Sequence, residues 1–111
     1  MSFLFGTSNQ SVADIIDARV FDFRLQRNGY QKQIVKLNKE VKKLEGQVKK
    51  AAKLGDQAKV EIFSESVVRK RHKITEAEVM IQRLDGLVKK LEILAKQPRT
   101  LPTLPLSLIH I

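Results

Sequence analysis

Residue types that move protons or hold metals are sparse in this chain and poorly placed for either task. His72 stands alone inside a basic run, Arg69-Lys70-Arg71-His72-Lys73, and His110 lies close to the chain end. Glu61 with Glu65, and Glu76 with Glu78, are carboxylate pairs spaced for an open helix surface, with no cleft to perturb them. There is no cysteine, which excludes disulfides, thiolate metal sites and thiol catalysis and suits a reducing compartment. No Gly-rich phosphate loop and no His/Asp/Glu cluster at metal spacing is present. The chain is therefore expected to be no enzyme and to need no cofactor. The chemistry it does repeat is cationic. Its formal net charge is +9, which points to an anionic partner: membrane headgroups, nucleic acid or an acidic protein.

The cations must be positioned by helices. Apolar residues fall at Ile16, Val20, Phe23, Tyr30, Ile34, Leu37, Val41, Leu44, Val48 and Ala51, in alternating steps of four and three broken only at Arg27. This is the a/d rhythm of a coiled-coil seam. A second seam runs through Val60, Phe63, Val67, Ile74, Ala77, Ile81, Leu84, Val88, Leu91 and Ala95, broken only at Lys70. Folded back at Leu54-Gly55-Asp56, the two share one antiparallel register: Ala51 faces Val60, Val48 faces Phe63, and so on out to Ile16 opposite Ala95. Period-two alternation is absent. The expected fold is all-α, a long antiparallel two-helix hairpin with coiled-coil character, in one domain. Such a hairpin buries one stripe per helix and is marginal without a further partner.

The expected organisation is an apolar N-terminal segment over residues 1–10, the hairpin over 11–97, and an unstructured tail over 98–111. Within the hairpin, a helix spans 12–53, a turn 54–56 and a second helix 57–97. Phe3-Leu4-Phe5 would dock on the hairpin or dip into a lipid interface, and this end lacks the basic n-region of a signal peptide. Ser11 and Asp56 are N-cap candidates, and Gly55 suits the left-handed residue that ends a helix. Gly29 and Gly46 fall inside the first helix, as sites of bending or close approach or as neutral positions on an outer face. Glu65–Arg69, Asp85–Lys89 and Glu92–Lys96 have the spacing of supporting ion pairs. Arg27 is expected beside Asp85, and Lys70 to pack its stem against Val41 with its head in water. Ile15, Phe21 and Leu25 lie off the seam and call for cover from the N-terminal segment or another subunit. Met80, Leu87 and Leu94 form a second stripe at seven-residue spacing, the expected partner or assembly surface. No run of about 18 apolar residues exists to span a bilayer. Leu106-Ser107-Leu108-Ile109-His110-Ile111 reads as a translated transposase adapter of sequencing libraries, so the tail is expected to be a frame artefact and the native chain longer.

Between Gln31 and Lys53 stand eight lysines: Lys32, Lys36, Lys39, Lys42, Lys43, Lys49, Lys50 and Lys53. All fall at heptad positions b, c and f, opposite the seam, while Glu40 and Glu45 flank it at g and e. The result is a positive ridge of roughly 30 Å at ~1.5 Å per residue. A flat anionic membrane fits such a ridge, several lysines together sufficing for reversible attachment. Nucleic-acid modules interleave aromatics or glycines with their basic residues. Here the lysine ridge carries no aromatic except Tyr30 at its edge, which belongs to the seam, so nucleic acid is not the expected partner.

The stretch Val41-Lys42-Lys43-Leu44-Glu45-Gly46-Gln47-Val48-Lys49-Lys50-Ala51-Ala52-Lys53-Leu54-Gly55-Asp56, followed by Val67-Val68-Arg69-Lys70-Arg71, resembles the ESCRT-III (Snf7-type) family of charged multivesicular body proteins. Arg83-Leu84-Asp85-Gly86-Leu87-Val88 and Phe21-Asp22-Phe23-Arg24-Leu25 look like the family's type-one (Vps46-like) branch, and Met1-Ser2-Phe3-Leu4-Phe5-Gly6 like its Vps2-like branch. The resemblance implies a cytoplasmic protein, peripheral on endosomal membrane, that polymerises with other ESCRT-III subunits for membrane remodelling and scission. It would place membrane binding on the eight lysines and on Phe3, Leu4 and Phe5. A Vps4-type ATPase would be a partner only of a full-length protein, since the family's later helices have no counterpart here. The alternative reading is a generic coiled-coil scaffold or a basic hairpin holding nucleic acid non-specifically.

Overall fold

The computed structural model describes residues 11–97, and the N-terminal segment and the tail lie outside them. Two helices account for nearly all of that span: α1, Val12–Lys53, and α2, Gln57–Lys96. They pack against each other as an elongated antiparallel hairpin, with no strand among the described residues.

Each end of α1 is specified locally. The Ser11 side chain, on extended backbone, accepts from the Asp14 backbone N–H at 3.1 Å, which satisfies one donor of the first turn. At the other end Gly55 takes φ +72°, the left-handed conformation that costs a residue with a Cβ about 1–2 kcal/mol. There the Asp56 N–H donates to the Ala51 carbonyl at 2.9 Å and the Gly55 N–H to Ala52 at 3.1 Å. That bond pair is a Schellman closure, and it leaves Asp56 placed to cap α2 by accepting from the Lys59 N–H at 3.2 Å. One glycine and one aspartate thus reverse the chain within three residues. α2 stops at Lys96, one residue short of expectation. Gln97 is extended at ψ 138°, the conformation imposed on a residue that precedes proline.

The core is the seam and little else. Among the described residues, all nine that are buried, Ile16, Ile34, Leu37, Val41, Ala51, Val67, Ala77, Leu84 and Val88, are seam positions. The remaining seam residues are half-buried, except Ala95, which is exposed where the expected register places it opposite Ile16. It sits one residue before α2 ends, where a methyl group covers little.

Charged contacts depart from expectation. None of the three pairs expected along α2 forms. Asp85 instead accepts from Arg27 Nε at 2.7 Å and Glu92 from Arg24 Nη2 at 2.9 Å, while Arg69 Nη2 donates to Ser66 Oγ at 3.0 Å. Pairs within an exposed helix are worth only about 0.3–0.5 kcal/mol, so long arginines reaching across the hairpin displace them easily. A Cβ at Gly29, Gly46 or Gly86 would meet nothing within 4 Å, so none marks a close helix approach.

Candidate functional site: the basic ridge of α1

The seam fixes which way each lysine points. With a and d turned toward α2, positions b, c and f face away, and Lys32, Lys36, Lys39, Lys42, Lys43, Lys49, Lys50 and Lys53 are all exposed. Among the described residues, none of the eight is ion-paired; the cations that are paired are Arg24, Arg27, Lys59, Lys70 and Arg71.

Both acids of this stretch are drawn off the ridge. Glu40 Oε2 accepts from Lys70 Nζ at 3.3 Å, and Glu45 Oε2 accepts from Arg71 Nη2. The head of Lys70 therefore meets a carboxylate rather than open water, because Glu40 sits beside Val41, the residue Lys70 faces in the seam. The basic knot of α2 thus has a task on the α1 side: Lys70 and Arg71 hold the two carboxylates that would otherwise offset the lysines. Sequence spacing put Glu40 and Glu45 on the flanks. It did not pair them, since which cation a flanking acid reaches depends on rotamers across the seam.

The other predicted residues divide. Phe3, Leu4 and Phe5 lie outside the described residues. Met80 is half-buried, whereas Leu87 and Leu94 are exposed on one flank of α2. Gln26 and Gln33 stand at the matching flank position of α1. The opposite flank carries the ionic contacts of Arg24, Arg27 and Arg71. His72 Nε2 lies 3.9 Å from Glu76 Oε1 on open surface. Among the described residues no group of three His, Cys, Asp or Glu could hold a metal ion, and no helix is long and apolar enough to cross a membrane.

Chemically, the ridge is a row of exposed ammonium groups on a stiff rod, able to follow a flat polyanion without ordering itself first. No family model, no curated protein and no solved structure matches this chain.

Proposed function

We propose that this chain is an ESCRT-III-like subunit that attaches to anionic membrane through the outer face of α1 and assembles laterally for membrane remodelling and scission. The observation that carries the reading is the lysine ridge cleared of its own acids by Lys70 and Arg71. Near an acidic bilayer each such lysine contributes on the order of 1 kcal/mol, so eight on one face give firm but salt-sensitive attachment. The attached protein is cytoplasmic and peripheral, at endosomal membrane in keeping with the family resemblance. Met80, Leu87 and Leu94 are the surface for lateral contact with further ESCRT-III subunits, because Gln26 and Gln33 stand beside them on that flank, whereas Arg24 and Arg27 make cross-hairpin ion pairs on the other. A basic rod on nucleic acid is the competing reading. It is disfavoured because no aromatic is interleaved with the eight lysines, and Tyr30, at the edge of the ridge, is half-buried in the seam.

Co-sedimentation with vesicles separates the readings. The protein should pellet with vesicles containing acidic lipid, stay in solution with neutral ones, and detach as salt shortens the Debye length toward ~3 Å at 1 M. Reversing Lys36, Lys43 and Lys50 to glutamate should weaken pelleting by well over tenfold. Binding indifferent to lipid charge and to that reversal would overturn the membrane reading, and preferential capture of duplex nucleic acid at the same salt would favour its competitor.

A further inference from the structure

The outer face of α1 does not end where its lysines do. Continued toward the N-terminus, the same b, c and f positions carry Ile15, Ala18, Phe21 and Leu25. Phe21 is 63% exposed, Leu25 54% and Ile15 47%, and none belongs to the seam. Large apolar side chains exposed in one cluster mark a surface that something covers. This third of α1 is also electrically balanced: between Ser11 and Tyr30, Asp14, Asp17 and Asp22 offset Arg19, Arg24 and Arg27. Asp14 and Asp22 share the outer face, so charge alone would not draw this end to an acidic surface. One rigid helix joins it to a segment that charge does draw.

We propose that Phe21 and Leu25, with Ile15 beside them, insert into the interfacial region of the anionic bilayer on which the lysine ridge rests. This inference rests on the membrane reading and adds depth and orientation to it. The occupant follows from charge complementarity on a shared face: a flat anionic surface that meets the eight lysines also meets Phe21. An acidic bilayer presents both chemistries there, headgroups to the lysines and acyl chains to the aromatic cluster. The hairpin then lies flat with α1 against lipid and α2 away from it, the lysine half held by charge and the N-terminal third by burial.

The chain contains no tryptophan, so Phe21→Trp installs a single reporter, and Ile62→Trp, on the exposed outer side of α2, supplies its control. Each variant is titrated with acidic vesicles carrying brominated acyl chains, with pelleting measured in parallel. The expected result is a blue shift and strong quenching for Phe21→Trp and neither for Ile62→Trp. A Phe21→Ser/Leu25→Ser variant, its helicity checked by circular dichroism, should bind acidic vesicles roughly tenfold more weakly. Pelleting without a Phe21→Trp shift would overturn insertion and leave the membrane reading standing. Failure to pellet would overturn both. A blue shift that appears with rising protein concentration and no vesicles would assign the cluster to a second copy and overturn insertion.

Discussion

Arg27 and Lys70 occupy slots that the seam otherwise fills with apolar or aromatic side chains, and the structure keeps both by giving each a carboxylate at the flank. Charges in a seam cost stability and fix register. Replacing Arg27 with leucine should therefore stabilise the hairpin by roughly 1 kcal/mol, seen as a higher urea midpoint, since Leu84 faces it and Asp85 can return to water. A fall in the midpoint would show that the Arg27–Asp85 pair is itself stabilising. Leu84 is the opposite case. It is 4% exposed, and Leu84→Ala should cost about 2–5 kcal/mol, enough to unfold much of a hairpin with one thin core. Circular dichroism at 222 nm follows both. At this scale the sequence was half legible. The seam slots and the Arg27–Asp85 contact follow from periodicity and register, whereas Arg24–Glu92 and Arg71–Glu45 join residues that the register does not place opposite each other and depend on side-chain reach.

At the scale of the element, the bend separates two roles of glycine. Gly55 holds φ +72°, so Gly55→Ala should destabilise the hairpin by about 1–2 kcal/mol or open the turn. Gly46 lies within α1 with open space around it, so Gly46→Ala should stabilise by up to about 1 kcal/mol through helix propensity alone. Denaturant titration of both variants checks the opposite signs. The helix limits were readable because caps and breakers are local signals: Ser11, Gly55, Asp56 and Pro98 each act within a few residues. The fate of Glu65, Asp85 and Glu92 was not readable from α2 alone. Their four-residue spacing to a base is real, but arginines of α1 reach two of them, and a neighbouring serine takes Arg69.

For the whole molecule, direction matters more than total charge. The eight lysines share a side because the seam repeats without slip from Tyr30 to Ala51, and that much was written in the spacing. The clearing of Glu40 and Glu45 needed α2 in place, because the cations that hold them are thirty and twenty-six residues away. The same geometry puts the exposed cluster of Phe21 and Leu25 in line with the ridge. Sequence marked those two residues as off the seam and needing cover, without indicating that their face was the lysine face. If basic character alone drove attachment, any three lysines would serve equally.

The most direct test is therefore a comparison at equal net charge. One variant carries Lys36, Lys43 and Lys50 reversed to glutamate. The other carries the same reversal at Lys89, Lys90 and Lys96, on the outward side of α2 at the open end of the hairpin. Affinity for acidic vesicles is measured for both at one ionic strength. The first should lose binding by well over tenfold and the second should change by only a few-fold, whereas equal losses would contradict a membrane-binding face on α1.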